Sequence, residues 1–332
     1  MNSDLQNLTA RYLEAREAVK SVFRMESEYS FPAAANLYVV ANELVDTERL
    51  TDCKRLVRDE AGIFSNFRGS ILVPLAAKLA LSDDPKARWD RAAANYAVLK
   101  EQFLRSEYLA LAALLLTDSA QDADVPALAA RGKALYRRMK DEHPFLTGQE
   151  DSVFAVLLAQ SQRSDDELIA DMEECYRILD ERFPKGDGIQ AASHVLAMTD
   201  GAPADKAGKV VALYDAIRAA GGKYGREWEL TALAAFAADE TPVDTTVSEL
   251  LEVDGLLADQ KGYRSIFGYD RRMRMMHAAM LVADFRSHTQ AQLVNAAAQQ
   301  SAVAMIAAQQ ATMLCTMIAC STAASAAASS AH

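Results

Sequence analysis

Apolar stretches alternate along the chain with polar turns and with stretches that mix charged and apolar residues. Seven apolar stretches end at Ala41, Leu81, Leu116, Gln160, Met198, Ala238 and Ala283. Successive ends are 40, 35, 44, 38, 40 and 45 residues apart, and a recurring period of this size is typical of stacked helical hairpins. The pattern therefore predicts an all-α protein built as an array of about seven helix hairpins.

The first helix of each hairpin, called the A helix, is apolar on nearly every face. LVPLAAKLAL, LALAALLL and VFAVLLA are examples. A helix of this kind is buried on more than one side. Two arrangements would supply that burial: a closed α/α toroid with the A helices as its inner ring, or an open α-solenoid whose concave face is covered.

The second helix of each hairpin, called the B helix, mixes charged and apolar residues at helical spacing, as in RWDRAAANYAVLKEQF. This pattern predicts an amphipathic helix with one buried stripe. Residues typical of helix N-termini precede these helices. Ser164 and Glu167 form a predicted capping box, and Pro85 suits a first helical position, where its missing N–H has no helical partner to lose.

The segment from Thr289 to His332 contains no Asp, Glu, Lys or Arg. It predicts a separate Ala/Ser-rich tail (289–332), helical to about residue 320, after a helical-hairpin domain (1–288). Paired glutamines and few large apolar side chains make it a poor membrane span, for which about 20 predominantly apolar residues are needed. We expect the tail to pack on its own protein or on a partner.

Charge and composition narrow the function classes. The net charge of −11 repels a phosphate backbone, which argues against nucleic acid as a partner. The first twenty residues form a charged amphipathic helix without the apolar core of a secretory signal, so a cytoplasmic location is expected. Four cysteines without a CxxC pair predict buried reduced thiols.

Candidate site residues lie in the loops that lead from each B helix to the next A helix, and on the A helices themselves. Such loops emerge at one end of a helical array, so residues distant in sequence can gather there. Arginines could contact an anion, and carboxylates could act as acids, bases or hydrogen-bond acceptors. The candidate ligand-binding residues are Arg68, Glu107, Tyr108, Glu150, Asp151, His194, Glu227, Arg271 and His277.

Each candidate also has a structural interpretation. Carboxylates in a first helical turn stabilise the helix dipole, and TGQE from Thr147 to Glu150 is itself a capping-box pattern. Arg68 and Arg271 could pair with those carboxylates. His194 and His277 lie on apolar A helices and could be satisfied core histidines, because no second ligand lies four residues further on.

The sequence contains no recognisable signature of a metal site or a cofactor site. Methionines within 273–280, beside His277, could hold copper(I), but methionine commonly fills cores. Cys315 and Cys320 point about 140° apart around a helix, so they do not form a one-helix metal site. The chain lacks DDxxD, GxGxxG, GxxxxGK[ST] and GxSxG patterns. No metal site is predicted, and the cofactor, if one exists, is unknown.

The strings FSNFRG, SEYLALAALLL, HPFLTGQED, SHVLAMTDG and KYGREWELTALAA, with the uncharged tail containing AAQQ, resemble an uncharacterised bacterial family, domain of unknown function 4003. The similarity spans nearly the whole chain. It implies a single full-length unit of bacterial origin. It implies no activity and no site residues.

Three functions follow as hypotheses. The first is a non-enzymatic interaction or scaffold protein that presents a groove to a peptide, a partner protein, its own tail or another copy of itself. The second is a small-molecule binder or an enzyme with its site at the loops before the A helices. Glycoside hydrolysis needs only two carboxylates, so it belongs to this class. No feature of the sequence points to it specifically. The third assigns assembly or chemical modification to the tail.

Overall fold

Helices make up the regular structure of the chain in a computed structural model, which describes residues 3–63, 65–264, 269–291, 311, 314, 315 and 318. Over these residues there are fourteen α-helices and no strand. The all-α prediction is therefore confirmed. None of the described helices is long and apolar enough to cross a membrane.

Odd-numbered helices correspond to the predicted B helices and even-numbered helices to the A helices. The B helices are α1 (Ser3–Val22), α3 (Thr47–Glu60), α5 (Pro85–Gln102), α7 (Val125–Glu142), α9 (Asp165–Asp180), α11 (Pro203–Ala219) and α13 (Val243–Ala258). The A helices are α2 (Ser30–Val40), α4 (Leu72–Ala80), α6 (Glu107–Ser119), α8 (Asp151–Leu158), α10 (Asp187–Ala197), α12 (Glu229–Ala234) and α14 (Arg271–Ala291). A short 3-10 turn, Asp122–Asp124, precedes α7.

The two sets of helices differ in burial as their sequences predict. All nine residues of α4 and all eight of α8 are buried. By contrast, α5 buries only a stripe of four residues among eighteen, from Trp89 to Leu99. Each fully buried Leu or Phe contributes about 1.5–3 kcal/mol relative to an exposed one, so the A helices supply most of the core.

The described residues fall into two compact units. Unit 1 takes its residues from 1–10, 138–147 and 161–312, and unit 2 from 11–137, 148–160 and 313–332. In unit 1, α10 packs against α12, which packs against α14. In unit 2, α2 packs against α4, and α6 packs against α8. The domain boundaries expected from the sequence remain a prediction.

Cations near the starts of B helices cap the carboxyl ends of the A helices that follow. In unit 2, Arg49 Nε donates to Ala80 O (2.6 Å), Arg91 Nη1 and Nη2 to Thr117 O and Ala120 O (both 3.0 Å), and Arg131 Nη1 to Ala159 O (3.0 Å). Positive charge at a helix carboxyl end is favourable because the helix dipole is negative there. These arginines therefore join each B helix to the A helix that follows it.

In unit 1 a buried lysine caps the carboxyl end of the A helix that precedes it. Lys206, on α11, is only 1% exposed, and its Nζ donates to Leu196 O (2.9 Å) and Thr199 O (3.0 Å) at the end of α10. It also donates to Asp171 Oδ2 at 2.8 Å, and Arg163 pairs with the same carboxylate. A buried cation of this kind is tolerated because its donors are satisfied.

Two predicted helix starts are confirmed. Ser164 and Glu167 form both hydrogen bonds of a capping box at α9. Pro85 opens α5, and Asp84 before it accepts a hydrogen bond from the Ala87 N–H at 3.0 Å.

The capping box predicted from Thr147 to Glu150 is wrong. The buried Thr147 hydroxyl donates to Met139 O at 3.1 Å instead of capping α8. Glu150 occupies the N-cap position of α8, and its side chain makes no hydrogen bond to the first turn of that helix. The reason is that the loop turns once more before α8 begins, so Thr147 lies too far from the first turn.

The predicted tail helix lies mostly outside the described residues. Within the tail the structure describes Ala311, Leu314, Cys315 and Ile318, all with helical backbone and all buried. Cys53, Cys175 and Cys315 are buried free thiols, as predicted, and Cys320 is outside the described part of the chain.

Candidate functional site

A polar cluster in unit 2 brings together three residues predicted from the sequence and one tail cysteine: the half-buried Tyr108 and Glu150 and the buried Asp151 and Cys315. Cys315 is fully buried. Burial, together with the negative charges of Glu150 and Asp151, holds the pKa of the Cys315 thiol well above its usual value. The thiol is therefore neutral at physiological pH.

Tyr108 belongs to the same cluster. Burial raises the pKa of its hydroxyl above the usual value, with further contributions from Cys315 and Glu150. A neutral phenol and a neutral thiol can each donate a hydrogen bond, whereas the two carboxylates accept them. The cluster can therefore hold a polar group of a buried helix, but it offers no activated nucleophile.

The start of α8 positions the two carboxylates. Asp151 is the first residue of the helix and is 2% exposed, and its Oδ2 accepts the Gly148 N–H at 2.8 Å. The Glu150 carboxylate folds back over the same loop, since a Cβ on Gly148 would lie 2.5 Å from Glu150 Oε2. Gly148 is thus required for this close approach.

Glu107 and Arg68 have structural contacts. The Glu107 carboxylate, at the start of α6, accepts the Ser70 N–H at 2.8 Å and occupies the space that a side chain on Gly69 would need. Arg68 Nη2 donates to Arg58 O at 2.5 Å. Each side chain therefore binds backbone, and the structure gives no ion pair between these two described residues.

The predicted residues of unit 1 do not form one cluster. His277 Nδ1 lies 2.8 Å from the Tyr263 hydroxyl, and the imidazole packs edge-on against Tyr269 with ring centroids 5.0 Å apart. This environment is that of a satisfied core histidine. His194 is buried in α10, whereas Glu227 and Arg271 are exposed.

A cavity of about 890 Å³ opens in unit 1, and Glu227 is the predicted site residue that lines it. The loops that form it, 184–188 and 223–228, are two of those singled out from the sequence. Sequence reasoning missed Arg182 and Arg218, because they follow or end B helices rather than lying in the loops. The cationic side chains of the lining are Arg182, Lys185, Arg218, Lys223, Arg226 and Arg272.

In the described part of the chain, no three His, Cys, Asp or Glu side chains lie close enough together to hold a metal ion. Met275, Met276 and Met280 are buried hydrophobic residues of the core.

The described residues form an all-helical protein with a polar tail cluster in unit 2 and a cationic cavity in unit 1. The chain belongs to the family described as "Protein of unknown function (DUF4003)", whose model matches residues 16–311. The predicted family membership is thus confirmed.

A similar protein occurs in Bacillus subtilis. The chain is 24% identical over 205 residues to "Uncharacterized protein YeaA" of Bacillus subtilis (strain 168), an alignment that covers 60% of this chain and 62% of that protein. The chain therefore spans less than two thirds of that relative. No solved structure matches the chain.

Proposed function

We propose that the protein is a non-enzymatic interaction protein whose unit 2 receives a helical peptide segment, and that its own tail is the segment held here. The observation that carries this proposal is the burial of Leu314, Cys315 and Ile318, with Cys315 beside the carboxylates of Glu150 and Asp151.

The spacing of the buried tail residues supports recognition of one helix face. Within unit 2, the described tail residues Leu314, Cys315 and Ile318 are all buried, and their spacing places them on one side of a helix. Proteins that bind a helix in a groove read such anchors. Full burial of Leu314 and Ile318 supplies affinity through the area removed from water.

The charge of the tail supports the same proposal. No acidic residue occurs from 289 onward, so the tail brings no carboxylate that Glu150 and Asp151 would repel. An acidic segment would place a repelled carboxylate in a buried site, which is a strong form of discrimination. Unit 2 is therefore suited to a helix without acidic side chains, as this tail is.

Thiol reactivity tests whether the tail is held. A variant with Cys53→Ala, Cys175→Ala and Cys320→Ser leaves Cys315 as the sole cysteine. We expect its reaction with a disulfide reagent to be at least about 100-fold slower in native buffer than in urea, because burial restricts access and the pKa is raised. The matched control retains Cys320 and replaces Cys315 with Ser, and it reports the general reactivity of the tail.

Binding in trans tests the receptor function. In the full chain, Leu314→Asp with Ile318→Asp should displace the tail, and the variant should then bind a fluorescent peptide of residues 308–328. The wild type should not bind it, because its site is filled. Ser329→Asp with Ser330→Asp adds the same charge as a control and should behave as the wild type. Fast reaction of native Cys315, or a displaced-tail variant that binds no peptide, would show that the proposal is wrong.

A small-molecule site at the loops before the A helices is the second candidate function. The observation that favours it is the cationic cavity of unit 1, which two of those loops form.

A further inference from the structure

The cavity of unit 1 collects positive charge in a chain whose net charge is −11. Six lysine and arginine side chains line it, against the two carboxylates of Asp187 and Glu227. Like charges gathered in one concave surface repel each other and focus a positive potential. This concentration of positive charge favours an anionic ligand.

Carboxylates of the protein itself neutralise two of the six lining cations. Asp215 binds Arg182 through both carboxylate oxygens, with Nη2 at 2.5 Å from Oδ1, and Asp180 lies 3.2 Å from Lys185. The remaining lining cations form no ion pair with any side chain in the described ranges. They are Arg218, Lys223, Arg226 and Arg272.

Close packing between its two loops fixes the shape of the cavity. A Cβ on Gly188 would lie 2.6 Å from the backbone of Glu227, so the first turn of α10 touches the second loop directly. That loop is held in turn: the buried Tyr224 hydroxyl donates to Glu229 O at 2.8 Å, and the Glu229 carboxylate accepts the Glu227 N–H at 3.1 Å. The loop is therefore ordered before any ligand arrives, which lowers the entropic cost of binding.

The start of α10 adds a second favourable element. Gly186 and Gly188 line the cavity at the amino end of this eleven-residue helix, where unpaired N–H groups and the helix dipole favour an anion. A planar guanidinium can donate two parallel hydrogen bonds to two oxygens of one phosphate. Asp187 and Glu227 on the same wall are hydrogen-bond acceptors, which suits hydroxyl groups on the rest of a ligand.

We propose that this cavity binds a small phosphorylated molecule that also carries hydroxyl groups, with Arg218 and Arg226 as its principal phosphate contacts. The volume of about 890 Å³ lies within the range of small-molecule sites. This proposal concerns unit 1 and is independent of the receptor function proposed for unit 2.

Tryptophan fluorescence provides the test, because the chain has two tryptophans, Trp89 and Trp228, and Trp228 lines the cavity. In the full chain with Trp89→Phe, titration with inorganic pyrophosphate and with a sugar bisphosphate should change the emission saturably. The sugar bisphosphate should bind more tightly because its hydroxyls meet the carboxylates. Calorimetry on the unmodified chain should give the same Kd.

Two matched variants decide the assignment. Arg218→Gln with Arg226→Gln should weaken both ligands at least about 100-fold, because each arginine supplies charge-assisted hydrogen bonds. Arg105→Gln with Arg137→Gln changes the net charge equally at exposed arginines outside the lining and should leave Kd within about twofold, since distant exposed charges are screened. Circular dichroism and Tm confirm that each variant is folded.

The outcomes are distinct. Saturable binding lost only in the first variant supports the site. If citrate binds as tightly as the sugar bisphosphate, the phosphate assignment is wrong. If both variants weaken binding equally, the binding depends on the net charge of the protein and the assignment to Arg218 and Arg226 is wrong. No saturable signal with either phosphate compound in the folded protein overturns the proposal altogether. None of these results depends on whether the tail can be displaced from unit 2.

Discussion

Several largely buried charged side chains of this protein are held by more than one hydrogen-bonding partner. Arg286 in unit 1 is an example: its guanidinium contacts Asp239, the Glu249 carboxylate at 2.6 Å and the Thr246 hydroxyl at 2.9 Å. Such charge-assisted hydrogen bonds are worth more than neutral ones, and leaving one partner buried and unpaired is costly. The network therefore stabilises the end of α12 against α13 and α14.

Asp239 makes this network sensitive to acid. Burial would raise the pKa of its carboxyl, but hydrogen bonds from Thr241 and the charge of Arg286 outweigh burial and hold the pKa below the usual value. The unfolded carboxyl titrates near pH 4, so the unfolded state binds more protons below that pH. The contribution to stability is therefore complete above about pH 4 and is lost as the pH falls through the folded pKa.

Replacement of Asp239 by Asn should lower the free energy of unfolding by about 1–3 kcal/mol at pH 7, because charge-assisted hydrogen bonds are lost. It should also flatten the decline of stability with acid below pH 4. Urea unfolding at several pH values from 3 to 7 measures both effects. Asp244→Asn, at an exposed position, is the control, and an equal acid response in the two variants would contradict the assignment.

Predictability from sequence also differs between residues. Ser164 and Glu167 could be assigned because a capping box depends on a separation of three residues. Thr147 could not, because its hydroxyl finds an acceptor eight residues away, at Met139. The proximity of Cys315 to Glu150 involves residues 165 positions apart in sequence, and no local pattern encodes such a distance.

Glycines at or near the starts of A helices allow a neighbouring segment of the chain to approach closely. Gly69 makes room for the Glu107 carboxylate and Gly188 for the backbone of Glu227. In both cases the start of one A helix touches the loop before a neighbouring A helix. The glycines are therefore required by packing, not by an unusual backbone angle.

Two glycines within helices allow a matched comparison. At Gly188 an added Cβ would meet Glu227 backbone atoms at 2.6 Å, whereas at Gly208 in α11 nothing lies within 4 Å. Gly188→Ala should therefore lower the free energy of unfolding by about 1–3 kcal/mol through overpacking. Gly208→Ala should raise it by about 0.5–1 kcal/mol through helix propensity. Urea titration monitored by circular dichroism measures both, and changes of the same sign would refute the packing argument.

The helices themselves were the most predictable part of the fold. Apolar runs such as LVPLAAKLAL and amphipathic runs such as RWDRAAANYAVLKEQF differ in period and burial, and the structure separates them as α4 and α5. The cavity was only half predictable. Its loops stand out by their glycine and charge, but Arg182 and Arg218 read as ordinary charged positions of amphipathic helices.

Over the whole molecule, acidic residues exceed basic ones, 46 against 35. The sequence pI is about 5.0, and a protein near its pI loses the mutual repulsion that keeps molecules apart. We expect solubility to pass through a minimum near pH 5 and to recover on either side, as measured by precipitation with polyethylene glycol. A solubility that falls steadily from pH 7 to pH 4 would instead indicate acid unfolding.

The arginines that cap A-helix ends indicate which piece of the chain can be gained or lost during evolution. Arg91 lies on α5 and binds the end of α6, and Arg131 lies on α7 and binds the end of α8. A duplicated or deleted segment that begins at a B helix and finishes after the next A helix keeps each cation with its carbonyl acceptors. A segment cut between those two helices would separate them, so insertions and circular permutation sites are better placed after an A helix than before it.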